Sequence, residues 1–175
     1  MRRVNWKKPV SEASAPAPTD EQLWALLLRW QTRREHAEAE LRRKLSQRQA
    51  SPEQCERLLA RLQAVGLQSD DRYADVLVRS QLQQGRAARA IRQRLQQAGI
   101  PADAEAVQAQ LADVDWISRA TAVLQRRFGT ALAVTPQARA RYVRFLQYRG
   151  YTLSQSLAAI RQAGCPCDDS AAYSD

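Results

Sequence analysis

The sequence predicts an all-α protein: an elongated, curved array of three tandem three-helix repeats. Three observations carry that prediction. The stretch Ala87 to Ala102, AARAIRQRLQQAGIPA, recurs without gaps as AEAELRRKLSQRQAS from Ala37 and as ARARYVRFLQYRGYT from Ala138. Ala37, Ala87 and Ala138 correspond, as do Leu41, Ile91 and Tyr142, then Leu45, Leu95 and Leu146, then Gln49, Gly99 and Gly150, then Ala50, Ile100 and Tyr151. Within each copy, alanine or a large apolar residue at i, i+4 and i+8 describes an amphipathic helix, and the residue four further on marks its left-handed end. Finally, β-branched runs bounded by turn residues do not occur, so no strand is predicted. A period of 50 or 51 residues is the mark of a repeat array.

Composition agrees. Of 175 residues, 45% are hydrophobic but only 6% aromatic, and mean hydropathy is −0.54. Such a core is thin, as in a stack of small helical layers that bury their apolar faces on one another.

The elements follow in order. Residues 1–18 form a basic arm rich in Pro, Ala and Ser, which cannot bury enough apolar surface to order itself. Its Arg2, Arg3, Lys7 and Lys8, with Trp6, are read as solvated rather than as contacts to phosphates and a base. Residues 19–67 form the first repeat. Thr19 and Gln22 make a capping box ahead of Leu23, in which side chain and backbone satisfy each other's amides. That helix is expected to run to about Arg34, and the next carries the first copy. Ser51, Pro52 and Gln54 open a third helix in the same way, with proline in its first turn. Its apolar face is Cys55, Leu58, Leu59, Leu62 and Val65, and Gly66 ends it.

Residues 68–113 form the second repeat, opening at Ser69 or Asp70, with Asp71 placed for the helix dipole. Tyr73, Ala74, Leu77, Val78 and Gln81 share one face, and Gly85 ends that helix. After the central copy, a short helix from about Ala102 to Leu111 presents Ala104, Val107 and Leu111. Residues 114–164 form the third repeat, which starts near Val114 to Trp116. Its first helix carries Ile117, Ala120, Val123 and Leu124 and stops at Phe128 and Gly129. The connection TALAV leads to Thr135 and Pro136, where the third copy begins. The last helix runs from a Thr152/Gln155 capping box through Leu153, Leu157 and Ile160 to Gly164. Residues 165–175, CPCDDSAAYSD, make a loose acidic tail.

Charge is the strongest compositional clue: 27 Lys and Arg against 18 Asp and Glu, a net +9, and an isoelectric point near 10.2. It is unevenly spread. Trp116 to Gly164 holds Arg119, Arg126, Arg127, Arg139, Arg141, Arg144, Arg149 and Arg161 and no acid; Val76 to Ala102 holds five more arginines and again no acid. Codon bias explains arginine over lysine but not the missing acids. A like-charged surface of this size repels itself, which favours a polyanionic partner or an acidic protein groove.

Several classes are excluded. No stretch approaches the roughly 18 apolar residues of a membrane span, and the basic N-terminus lacks an apolar signal-peptide core. Three cysteines, Cys55, Cys165 and Cys167, argue against a disulfide framework and for a reducing cytoplasm. With one histidine far from the CPC tail, no metal site is expected. His36, amid Glu35, Glu38 and Glu40, reads as part of a solvated charge cluster on a helix, not as an acid/base site. P-loop, GxGxxG and HExxH patterns are missing. The chain is expected to be no enzyme, to need no cofactor and to be a monomer.

The segment DDRYADVLVRSQLQQGRAARAIRQRLQQAGIPADAEAVQAQL, with its DDRYA opening and its spaced R, G, I, L and GI, resembles the RecX family of bacterial regulators of the RecA recombinase. The resemblance runs from about Leu23 to Gly164. Gln49, where the other copies have glycine, departs from it, and the arm and CPC tail lie outside the pattern. It implies a regulator of homologous recombination and the SOS response. Such a protein binds the RecA filament on single-stranded DNA, in the helical groove, and touches the DNA directly or through the filament. It restrains filament growth, ATPase, strand exchange and coprotease activity. A solenoid suits such a groove, because each repeat adds contact along a length.

Helical angle selects the contacts. In the second copy Ala88, Ile91, Leu95 and Ala98 lie inward, which turns Arg86 and Arg89 outward and leaves Arg92 and Arg94 at the flanks. In the third, Ala138, Tyr142 and Leu146 lie inward, Arg144 points away, and Arg139 and Arg141 flank. Arg86, Arg89, Arg92, Arg141 and Arg144 are the expected partner contacts, with Arg126 and Arg127 beside them, together forming a cationic ridge. Tyr142 and Phe145 share the face of Leu146 and belong to the core rather than to a base-stacking platform. Tyr148 is the exposed ring, and Trp24, Trp30 and Trp116 belong to the core. The other readings are an autonomous DNA-binding helical module and a protein-binding scaffold without nucleic-acid affinity.

Overall fold

The computed structural model describes residues 17–133 and 135–164. Most of the N-terminal arm, with Trp6 and its four cations, lies outside the described residues, as do Val134 of the TALAV connection and the tail with Cys165 and Cys167. Among the described residues there are nine helices and no strand: α1 Asp20–Gln31, α2 Glu38–Ser46, α3 Pro52–Ala64, α4 Asp70–Gln83, α5 Ala88–Gln97, α6 Glu105–Ala112, α7 Trp116–Phe128, α8 Pro136–Tyr148 and α9 Leu153–Gln162. They pack chiefly in consecutive triplets: α1 and α2 on α3, α5 and α6 on α4, and α7 and α8 on α9. The fold is the all-α array of three-helix repeats.

Local chemistry sets most helix starts. Capping boxes at Thr19/Gln22, Ser51/Gln54 and Thr152/Gln155 are formed in both directions. Ser69, Asp115 and Thr135 accept from amides of the first turns of α4, α7 and α8.

Three helices, α2, α5 and α6, start without a side-chain cap, and the first two share one device at their alanine N-caps, Ala37 and Ala87. Both alanines are buried, at 0% and 1% exposure, and neither lies in the core of its own triplet. Ala37 packs with Ala74, Val78, Ile91, Leu95, Val107 and Leu111 of the second triplet. Ala87 packs with Ala120, Leu124, Tyr142, Leu146 and Ile160 of the third. The following repeat also supplies what an alanine cannot. Asp70 Oδ1 accepts from the Glu38 amide at 2.8 Å, and the Arg149 carbonyl accepts from the Ala87 amide at 2.9 Å. The chain therefore stacks by inserting the start of one middle helix into its successor's core. Asp70, expected to cap its own helix, closes the preceding repeat instead.

The reciprocal contact is made at the turn after each middle helix. A Cβ on Gly99 would stand 3.0 Å from Ala39 Cβ, and one on Gly150 would stand 2.6 Å from the Ala90 amide nitrogen. The equivalent Gln49 adopts φ 62° with no preceding repeat against it, and its side chain is exposed.

Leu23, Leu27, Leu41, Leu45 and Leu62 in the first triplet, and Leu124, Leu146 and Ile160 in the third, are fully buried. Burial of each contributes about 1.5–3 kcal/mol. Trp24 and Trp30 are half-buried against the first core, and Trp116 bridges the second and third.

The structure also corrects several expectations. α1 ends at Gln31 instead of near Arg34, and α6 starts at Glu105 instead of Ala102, behind the turn at Pro101. Val65, Ile117 and Leu153 are exposed, not inward. Val65 is the C-cap of α3, while Ile117 and Leu153 sit in first turns, where Cβ tilts off the helix end.

His36 is the largest correction. It precedes α2 and is 3% exposed. Nδ1 lies 2.9 Å from the Arg34 carbonyl, so it carries the proton, and Nε2 accepts from Lys44 Nζ at 2.7 Å. Glu40 binds Lys44 at 3.1 Å and Arg34 at 2.5 Å.

Candidate partner-binding surface

Acid placement decides which cations are free. Residues 20–64 hold nine Lys and Arg against seven Asp and Glu. Most of those acids are engaged: Asp20 with Arg57, Glu38 and Glu56 with Arg42, Glu40 with Arg34 and Lys44, and Glu35 with Arg72 across the first junction. Residues 116–162 hold eight arginines and no acid. The third triplet therefore has no acid of its own to neutralise its arginines.

The seven arginines selected from the sequence occupy different surroundings. Arg89 and Arg144 are exposed on α5 and α8, with no ion-pair or hydrogen-bond partner among the described residues. Arg127 and Arg141 flank the Phe128 ring at 5.3 and 5.1 Å. Phe128 itself packs on Tyr142 and Phe145, with ring centroids 4.9 and 5.1 Å away. Cation and ring attract because the ring face is electron-rich. Arg92 is half-buried and donates to Gln108 Oε1 at 3.0 Å, so it ties α5 to α6. Arg86 is half-buried rather than outward. It precedes α5, lies 5.6 Å from the Tyr148 ring, and donates to the Tyr148 carbonyl at 3.4 Å. Arg126 is exposed on α7 beside Gly85.

Tyr142 is buried, and its hydroxyl accepts from the Ala133 amide at 3.1 Å, which pins the TALAV connection. Tyr148, 81% exposed, is the presented ring.

Sequence reasoning left Arg94 at a flank; the structure makes it central. A cleft of about 280 Å³ between the first two triplets is lined by Ala39, Glu40, Arg43, Tyr73, Arg94 and Gln97. A second, of about 400 Å³, between the second and third is lined by Arg86, Ala90, Gln93, Arg94, Gln97 and Tyr148. Arg94 and Gln97 line both, so α5 forms the wall between them. Arg94 is exposed and has no ion-pair or hydrogen-bond partner among the described residues. A helical wheel gives its angle but not that both neighbouring repeats recede beside it. The surface suits an extended acidic ligand crossing α5: guanidinium forks at Arg43, Arg94 and Arg86, amides at Gln93 and Gln97, and one exposed aromatic ring.

Two family models match this chain. The second three-helix domain of RecX matches residues 69–104 and the third matches residues 113–160. Between them they take in α4, α5, α7, α8 and most of α9. Among curated proteins, the Regulatory protein RecX of Halorhodospira halophila is 37% identical over 136 residues, 78% of this chain and 84% of that protein. The protein of the same name from Pseudomonas syringae pv. tomato is 43% identical over 122 residues, 69% of this chain and 78% of its own. The chain belongs to the RecX family. The solved RecX structures extend the likeness to the fold. The crystal structure of RecX from Lactobacillus salivarius superposes with a TM-score of 0.66 at 14% identity, covering 83% of this chain and 96% of that one. A second RecX crystal structure gives 0.63 at 19% identity, covering 83% and 71%. RecX relatives are named as regulators. Among the described residues of this member, no helix is long and apolar enough to cross a membrane, and no group of His, Cys, Asp or Glu could hold a metal.

Proposed function

We propose that this protein is a non-enzymatic cytoplasmic regulator of homologous recombination and the SOS response. It binds the RecA filament on single-stranded DNA and restrains filament growth, ATPase, strand exchange and coprotease activity. Family membership supplies the partner. The observation that carries the proposal physically is a triplet of helices with eight arginines and no acid in residues 116–162, in an array whose first triplet offsets most of its charge with its own acids. A filament on DNA offers acidic side chains and phosphates along its length. An array meets such a target with many moderate contacts rather than one deep pocket.

The test is inhibition of single-stranded-DNA-dependent RecA ATPase by the purified chain and by the triple variant Arg89→Glu, Arg94→Glu, Arg144→Glu. None of these side chains has an ion-pair or hydrogen-bond partner among the described residues, so circular dichroism is expected to be unchanged. Charge-assisted contacts contribute about 1.5–3 kcal/mol each. Losing even two of them raises the half-inhibitory concentration by roughly 100-fold or more. Undiminished inhibition by the triple variant refutes this surface. Tight, steeply salt-dependent binding of the parent protein to bare duplex, indifferent to RecA, refutes the recombinase as target and favours an autonomous DNA-binding module.

A further inference from the structure

The junction between the second and third triplets holds more guanidinium than its own hydrogen bonds use. The last turn of α4 has no basic residue, and the third triplet reaches back to cover its carbonyls. Arg119 Nη2 donates to the Leu82 carbonyl at 2.5 Å, Arg149 Nη1 to the Gln84 carbonyl at 2.7 Å, and the Tyr151 hydroxyl to the Gly85 carbonyl at 3.4 Å. These bonds complement the negative end of the helix dipole. They leave donors over. Arg119 Nε is buried with no hydrogen-bond partner. Arg126 has neither an ion pair nor a hydrogen bond, and its Nη2 lies 3.3 Å from the point a Gly85 Cβ would occupy; Arg149 Nη1 lies 3.6 Å from the same point. Burial, and the charges of Arg86 and Arg126, push the Arg149 pKa down. No acid lies between residues 76 and 102 or between 116 and 164 to offset the group.

These donors border a cavity. Leu82, Gln83, Gly85, Arg119, Ala122, Val123 and Arg126 enclose about 180 Å³, roughly six water volumes. Gly85 lines it without a side chain; a Cβ there would stand 2.5 Å from Val123 Cγ2.

We propose that this cavity is an oxyanion seat for a phosphate group, gripped by the guanidinium groups of Arg119 and Arg126 in the field of Arg86 and Arg149, and that filling it clamps the third triplet onto the second. A tetrahedral phosphate suits two guanidinium groups converging from α7 better than a planar carboxylate does, since it offers acceptor oxygens in several directions and carries more charge. The phosphate is either the free anion or a phosphodiester of a nucleic-acid strand. The seat lies apart from the α5 clefts, and its test needs no recombinase.

The full chain is melted in sodium phosphate and in sodium chloride at equal ionic strength, beside Arg126→Gln, which removes an exposed side chain that bonds nothing. Phosphate at about ten times its dissociation constant is expected to raise Tm by about 3 °C. Arg126→Gln should lose most of that rise while matching the parent in chloride. Slowed amide exchange at residues 84–87 should accompany the rise. Equal stabilisation of both proteins overturns the seat, because anion exclusion from the surface acts on either. So does protection by a glutamate-rich peptide where phosphate gives none. A short oligothymidylate separates the two sources. Affinity weakened about tenfold by Arg126→Gln supports the seat with a strand phosphodiester as its ligand. Unchanged oligonucleotide affinity, with the phosphate shift lost, supports the seat with the free anion as its ligand.

Discussion

The first and third triplets are built alike and charged differently. Each contains at least one capping box, a middle helix with two buried side chains, and a fully buried leucine at the same repeat position, Leu45 and Leu146. Yet the first meets nine cations with seven acids, and the third has no acid at all in residues 116–162. The helical repeat therefore does not need such ion pairs to form, and the third triplet holds its arginines without an acid of its own. A second difference concerns neighbours. Among the described residues no triplet stands before the first, whereas the third ends its middle helix against α5.

The largest expected effect tests that stacking. Gly150→Ala places a Cβ 2.6 Å from the Ala90 amide nitrogen and 2.7 Å from Ala90 Cβ, at φ 94°. Backbone cannot yield as a flexible side-chain tip can. The cost is expected to be about 3 kcal/mol or more by denaturant unfolding. Gly99→Ala should cost less, because its 3.0 Å neighbour is a single methyl group. Equal effects at both positions would mean the left-handed backbone, not the junction, dominates.

Next comes the buried alanine that stitches repeats. Ala87→Leu forces three carbons into the core shared by Leu124, Tyr142 and Leu146 and should destabilise by about 1–3 kcal/mol. Ala138→Leu, at the equivalent but half-buried position, with no following triplet among the described residues, should cost less than about 1 kcal/mol. If the two costs match, Ala87 is an ordinary helix-face residue.

A smaller effect separates the triplets by pH. Burial, aided by Arg34 and Lys44 against the pull of Glu40, holds the His36 pKa below the ordinary imidazole value. The unfolded chain then takes up the proton more readily, so this contribution is complete above about pH 6.5 and is lost as pH falls toward the folded pKa. Glu40 follows lower down. Burial works against its ionisation, but Arg34 and Lys44 outweigh that and hold its pKa below the carboxylate norm, so its contribution is lost as pH falls below about 4.5. Residues 116–162 contain no Asp, Glu or His. Amide exchange compared at pH 7.5 and 5.5 should show protection falling in α1–α3 and holding in α7–α9. His36→Gln should flatten the change.

What the sequence disclosed and what it withheld follow the range of the interaction. The three capping boxes are written within four residues and were legible, as were the buried Ile91, Leu95 and Tyr142 of the aligned copies. Ala37 was legible as apolar, but not as part of the next repeat's core, since periodicity says which face is buried and not against what. Asp70 reads as a cap; that it caps α2, 32 residues back, needs the stacked structure. His36 was misread because three nearby glutamates suggest solvent, whereas its ring is enclosed by Lys44 and the Arg34 carbonyl. Arg94 emerged only when two inter-repeat clefts were found to share it.

Gln49 offers the smallest test and the most direct view of why the repeats differ. It holds φ 62°, a conformation that costs a side-chain-bearing residue about 1–2 kcal/mol. At the matching positions glycine is imposed twice over, by the backbone and by the preceding repeat 3.0 Å or less away. At Gln49 only the first constraint applies, and it is weak enough to be outvoted by the rest of a well-packed triplet. Gln49→Gly should therefore stabilise the protein by roughly 0.5–1 kcal/mol, the relief of strain being partly offset by greater chain entropy in the unfolded state. A loss of stability instead would show that the Gln49 side chain makes a contact the fold depends on, and that the first triplet, too, is finished against a neighbour.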